Sequence, residues 1–67
     1  MITVSINGTA RQLAQTIYII SLLEEMGLTG KRIALERNGE IVPRSQFASQ
    51  QLEDGDILEI VVAVGGG

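Results

Sequence analysis

Hydrophobic and polar positions alternate from the first residues. In "MITVSI", Ile2, Val4 and Ile6 are separated by Thr3 and Ser5, the two-residue period of a strand with one buried face. Asn7-Gly8 follows. Both residue types tolerate positive φ, so the pair predicts a hairpin turn, and "TARQLAQ" reads as the returning strand. The period then changes. Ile19, Leu22, Leu23 and Met26 fall at i, i+3, i+4 and i+7, one apolar face of a helix. The helix is expected over Tyr18–Met26, with Gly27 as its C′ residue and Leu28 placed to cover Leu23. Its start is ambiguous. "TIYII" is β-branched and aromatic, which favours a strand, and tyrosine is a poor N-cap. Thr16 or Tyr18 marks the entry. Glu24 and Glu25 in the last turn also oppose the helix dipole.

"RIALERNGEIVP" reads as a strand, an Asn38-Gly39 turn and a short strand. Pro43 ends the pairing and is expected to open a helical turn as its first residue. "PRSQFASQ" is then one short helix or 3₁₀ turn that buries Phe47. A turn at Asp54-Gly55-Asp56 leads to the longest strand. There Leu58, Ile60, Val62 and Val64 share a wholly apolar face and are expected to point inward. Ile57, Glu59, Val61 and Ala63 share the outward face. The element order β-β-α-β-β-(short helix)-β predicts an α+β fold, with one main helix packed on one face of a sheet of four to five strands.

Composition narrows the chemistry. The chain has 67 residues, enough for one domain. At this size only about 60% of the unfolded surface can be buried. Cysteine and histidine are both absent, so disulfides are excluded and zinc or iron–sulfur sites are not expected. No metal site is predicted. Catalysis through a Cys/His or Ser/His arrangement is excluded for want of a base. The protein is read as a non-enzyme that binds no cofactor of its own. Net charge is −3, and Tyr18 and Phe47 are the only aromatic residues. There is no basic stripe and no stacking platform, so nucleic acid is set aside as a partner. No apolar run is long enough to span a bilayer, and the start reads directly as a strand rather than a signal peptide. The expectation is a soluble cytoplasmic protein without a membrane partner.

The residues that resist a structural explanation are the last ones, "EIVVAVGGG". Gly65, Gly66 and Gly67 add nothing to packing. Chain ends are often frayed and glycine-containing, and such a run can also be a linker scar. Directly behind a strand pattern of this kind, a tail that is threaded into another protein is the better reading.

"ERNGEIVPRSQ" followed by "LEDGDILEIVVAVGGG", with "ITVSING" at the start and a central helix, resembles the ThiS family. These are sulfur carrier proteins of thiamine biosynthesis with a ubiquitin-like β-grasp fold. The likeness covers the whole chain. Single Asn-Gly or Asp-Gly turns are weak signals; their order, spacing and the diglycine end together are specific. The chain departs from the family in opening its helix at Tyr18 where Thr or Ser is usual, in placing Ile20 on a more polar side, and in a third glycine. The resemblance implies a β-grasp domain over residues 1–64 and a flexible glycine tail over 65–67. It implies that Gly67 carries the reactive carboxylate, and that Gly65, Gly66 and Gly67 are threaded into a partner. A ubiquitin-activating-type adenylyltransferase (ThiF-like) would use ATP to adenylate that carboxylate. A sulfur donor such as a persulfide-bearing protein would convert it to a thiocarboxylate, and a thiazole synthase (ThiG-like) would receive the sulfur. Alternatives with the same tail are the small subunit of molybdopterin synthase, another pathway's sulfur carrier, or a protein modifier. A β-grasp binding module with an inert tail is a further class.

The outward apolar residues Ile57, Val61 and Ala63, with Val64 at the strand's end, are a candidate partner interface, lying beside Thr3 and Ser5 if the first and last strands are neighbours. Against this, scattered exposed apolar residues are normal. Glu53, Asp54, Asp56 and Glu59 read first as a solvated acidic turn and second as a steering patch for a basic partner. Arg37 and Arg44 read as plain surface charge. Asn38, Gly39, Gly55 and Pro43 read as turn residues only.

Overall fold

The computed structural model describes residues 1–63. Strands β1 (Ile2–Ile6) and β2 (Thr9–Leu13) form the first hairpin. Helix α1 (Ile19–Glu25) follows. Then come β3 (Ile33–Arg37), β4 (Glu40–Ile41), a 3₁₀ turn (Arg44–Gln46) and β5 (Ile57–Val62). The sheet order is β2-β1-β5-β3-β4. β5 is therefore central although it is last in the chain. It pairs parallel with β1 and antiparallel with β3, so the five-stranded sheet is mixed.

The two Asn-Gly turns have the geometry their residues suit. Asn7 has φ +50° and Gly8 φ +85°, while Asn38 has φ +52° and Gly39 φ +86°. Two successive positive φ values are the type I′ pattern that matches strand twist. The alternation read in β1 and β5 also holds. Val4, Ile6, Leu58 and Ile60 are buried, whereas Ile57 and Val61 are 56% and 64% exposed. Val62 is half-buried, and Val64 lies outside the described residues. So does the expected domain boundary at residue 64. The inward residues join Ile19, Leu22 and Leu23 of α1, together with Phe47 and Leu52, in one cluster.

The helix begins at Ile19 rather than Tyr18, and its entry explains the mixed signals. Tyr18 is the N-cap in an extended conformation and makes no side-chain cap bond. Backbone carbonyls of the later segment replace the cap: the Ile19 N–H donates to Gln50 O (3.0 Å) and the Ile20 N–H to Phe47 O (2.9 Å). Two of the helix's orphan donors are thereby satisfied. The strand character of "TIYII" is expressed just before the helix, where Tyr18 bridges Gln51 and the Leu52 N–H donates to Ile17 O at 2.8 Å. The helix exit is as expected. Leu28 N–H bonds Leu23 O (2.9 Å) and Gly27 N–H bonds Glu24 O (3.1 Å), with Gly27 at φ +74°, which is a Schellman motif.

One helical detail differs. Pro43 is not the first residue of the 3₁₀ turn but its N-cap, with ψ 144°. Its carbonyl accepts the Gln46 N–H at 2.9 Å, so its fixed φ serves the extended approach rather than the turn itself. Phe47 is buried, as expected.

Candidate functional site: the end of the central strand

β5 delivers the chain toward its last residues, and its position is over-determined. On one side it is hydrogen-bonded to β3 as far as Ile33↔Val62. Beyond that pair the Ala63 N–H donates to Arg32 O at 3.0 Å. On the other side β1 pairs only at Ser5↔Ile57 and Ile6↔Leu58, because the chain turns away at Asn7. The side chain of Asn7 then takes over. Its Nδ2 donates to Ile60 O (3.0 Å), and its Oδ1 accepts the Ile60 N–H (2.7 Å). An amide side chain thus substitutes for a peptide group of a neighbouring strand. Asn7→Gly keeps the turn conformation but removes both bonds, and is expected to cost about 1–3 kcal/mol, set by the two strand groups left unpaired. Chemical denaturation reads this directly. Amide exchange at Ile60 should accelerate more than at Leu35.

Asn38 holds the start of β5 through one backbone group and one side chain. Its Oδ1 accepts the Ile57 N–H (2.9 Å) and its Nδ2 donates to Asp56 Oδ1 (3.1 Å). Asn38 is therefore more than the turn residue its sequence context suggests. Arg37 is not plain surface charge either. Its side chain is only 18% exposed, and it grips Asp56 Oδ2 through Nε (2.9 Å) and a terminal nitrogen (2.8 Å). A second terminal nitrogen reaches Gln50 Oε1 at 3.1 Å. Asp56 in turn accepts the Glu53 N–H at 2.8 Å. Burial opposes ionisation of Asp56 and is the largest single influence on it. The Glu53 amide, the Asn38 and Arg37 hydrogen bonds and the Arg37 charge together outweigh it, holding the carboxyl below its usual value of 3.8.

The acidic group read from the sequence thus separates into parts. Asp56 is buried inside a network, not part of a solvated turn. Asp54 accepts the Thr3 N–H at 2.8 Å. Glu59 belongs to the outer sheet face, directly opposite Glu36. Only Glu53 behaves as a solvated turn residue: its side chain is 81% exposed, with one long contact to Arg37 at 3.9 Å.

The outward residues Ile57, Val61 and Ala63 are exposed as expected. Glu59 interrupts them, so the face is apolar in patches. Ser5 lies beside Ile57. Thr3 does not flank the strip: its carbonyl bonds the Gly55 N–H at 2.8 Å, next to the turn. Gly65, Gly66 and Gly67 lie outside the described residues. Among the described residues there is no cluster of three or more carboxylates able to hold a metal, and no helix is long and apolar enough to cross a membrane.

Comparison with known proteins agrees with this architecture. The model of the ThiS family matches residues 4–67. A thiazole synthase of Paramagnetospirillum magneticum is 45% identical over 62 residues, which cover 92% of this chain but only 19% of that protein. The sulfur carrier protein ThiS of Bacillus subtilis is 41% identical over 49 residues, 73% of this chain and 74% of its own. The crystal structure of a thiamine biosynthesis protein (ThiS) from Geobacter metallireducens superposes with a TM-score of 0.82 at 26% identity, covering 98% of this chain and 100% of that one. The mixed sheet with β5 at its centre, the single capped helix and a match that runs to the final glycine place this chain in the ThiS family, the sulfur carriers of thiamine biosynthesis.

Proposed function

We propose that the protein carries sulfur for thiazole formation as a thiocarboxylate on Gly67. The observation that supports this best is the family match extending to Gly67, while β5 ends at Val62. Gly65 to Gly67 span roughly 10 Å when extended, enough to reach a buried active site. Without a Cβ, the backbone can approach a nucleotide closely. Fixing a glycine in one conformation costs more backbone entropy than fixing any other residue.

In the proposed reaction a Gly67 carboxylate oxygen attacks the α-phosphate of ATP on a ubiquitin-activating-type enzyme, and pyrophosphate leaves. The outer sulfur of a persulfide-bearing donor protein then attacks the acyl carbon and AMP leaves; a thiolate next attacks the donor's inner sulfur of the resulting acyl disulfide, so that the S–S bond breaks, the thiocarboxylate is released and a new disulfide forms on the donor. The carrier supplies the acyl group and the docking surface; ATP is bound and used by its partner, so the carrier is not itself the catalyst. A thiazole synthase is the proposed acceptor. The Paramagnetospirillum thiazole synthase, which has a segment like this chain within the same polypeptide, supports that pairing.

The test uses an absence in the sequence. The protein is incubated with ATP, a cognate activating enzyme and a sulfur source, then treated with a thiol-alkylating reagent and weighed intact. With no cysteine present, one alkyl adduct mapping to Gly67 is the expected result. Alkylation also separates thiocarboxylate from oxidation of Met1 or Met26, which changes the mass almost equally. Absence of the adduct with a demonstrably active enzyme overturns the proposal.

A further inference from the structure

The chain has five basic residues against eight acidic ones, and their placement is uneven. Arg11 pairs with Glu25 at 3.7 Å, and Arg37 with Asp56. The other three, Lys31, Arg32 and Arg44, are exposed, and none has a carboxylate within ion-pair distance among the described residues. All three sit at the end of the molecule where β5 stops. The Arg32 carbonyl accepts the Ala63 N–H. Arg44 reaches the Lys31 carbonyl through a terminal nitrogen at 3.5 Å. A group of like charges at one end of an otherwise acidic protein offers a favourable site to an anionic counterpart.

Lys31 and Arg44 also border a groove of about 240 Å³, with Ile20, Leu23, Leu28, Ile33 and Phe47 among its lining. Ile20, which departs from the polar pattern expected of its helix face, contributes to this lining. The groove is below the roughly 300–1,000 Å³ usual for small-molecule sites, but has room for one large apolar side chain. Ile33, at its edge, is the residue paired with Val62.

Covalent geometry makes this rim unavoidable for a partner. Four residues follow Ala63, and four extended residues span at most about 14 Å. Any protein that holds the Gly67 carboxylate in its active site must therefore come within that distance of Ala63. We infer that Lys31, Arg32 and Arg44 form a cationic rim that docks an acidic segment of the activating enzyme, with one large apolar side chain of that segment seated in the adjoining groove. This rests on the proposed function. It assigns the docking surface to the helix side of the strand end, rather than to the outward residues Ile57 and Val61 alone. Complementary charge of this kind acts mainly on encounter and orientation, so its signature is in KM and in salt dependence.

The experiment compares the wild type with the double variant Lys31→Glu/Arg44→Glu in adenylation by the activating enzyme of the same organism. KM for the carrier should rise at least ~10-fold with kcat changed less than ~2-fold, as expected for loss of steering. The wild type's kcat/KM should fall with added sodium chloride, and the variant's should not. Lys31→Arg/Arg44→Lys keeps both charges and should behave as the wild type. Ala48→Glu, at an exposed position lining the groove, should raise KM alone. Thermal melts of all variants confirm that they are folded. A wild type that is adenylated, with KM and salt response unchanged in the charge-reversed variant, overturns the rim and leaves the sulfur-carrier reading standing. A wild type that is never adenylated overturns that reading, and the rim with it.

Discussion

Gly67→Ala and Gly66→Ala leave the protein folded and slow adenylation at least ~100-fold, the loss expected when a reacting group is misplaced by about 1 Å. A methyl group on either residue removes backbone conformations open to glycine, and in the proposed complex it would occupy space next to the nucleotide. The stability of the domain is expected to stay within about 0.5 kcal/mol of the wild type, the usual range for a substitution outside the core. The informative pair of measurements is the thermal midpoint and the rate of pyrophosphate release. An unchanged midpoint with a collapsed rate assigns the glycines to the complex. Wild-type rates in both variants would show that a carboxylate terminus suffices, whatever residues carry it.

The second large effect is structural. Asp56→Ala strands Arg37, whose side chain is 18% exposed, and leaves the Glu53 N–H and the Asn38 amide without their acceptor. Removing one partner of a buried ion pair costs about 3–5 kcal/mol; the residual exposure of Arg37 favours the lower figure. A domain of 67 residues has a total stability of roughly 3–10 kcal/mol, so the variant should be largely unfolded in weak denaturant. Adding Arg37→Met removes the stranded charge and should recover part of the loss, which a double-mutant cycle measures. Acid provides an independent check. Asp56 titrates lower in the folded protein than in the unfolded chain, where 3.8 is the ordinary value. The stabilisation is present above that value and disappears as pH falls through the folded one. Denaturant midpoints should change little in this respect down to about pH 5 and then drop below about pH 4. In Asp56→Asn this component of the drop should be missing. A drop of the same size in Asp56→Asn would assign acid sensitivity to other carboxylates.

These two effects differ in how visible they are in the sequence. The glycine tail is a local feature, and its proposed role is read from its position behind a strand pattern. The ion pair was not. Arg37 and Asp56 lie 19 residues apart, and Asn7 lies 53 residues from the Ile60 backbone it bonds. Nothing in the neighbourhood of "ERNG" distinguishes an arginine that grips a carboxylate from one that faces water. The signal was indirect: two Asn-Gly turns, where Gly alone can meet the conformational need at one position and Asn supplies a side-chain amide at the other. The helix entry, left open between Thr16 and Tyr18, is at Tyr18 as N-cap, and its ambiguity has a related reason. Its first N–H groups are satisfied by Gln50 and Phe47, so no capping residue had to be present at Tyr18.

What the sequence by itself determined is whatever depends on periodicity and local backbone preference. That covers the inward and outward faces of β1 and β5, the two type I′ turns, the Schellman exit at Gly27 and the burial of Phe47. It also supplied the motif order that pointed to the family. Tertiary structure decided whatever depends on which strands become neighbours. It put the last strand at the centre of the sheet, between β1 and β3, which turned Asn7, Arg37, Asn38 and Asp56 into its fastenings and brought Lys31, Arg32 and Arg44 to its end. The physical reason is range: φ preferences and hydrophobic period act over a few residues, whereas hydrogen bonds and ion pairs form between whatever groups the completed sheet brings within about 3 Å.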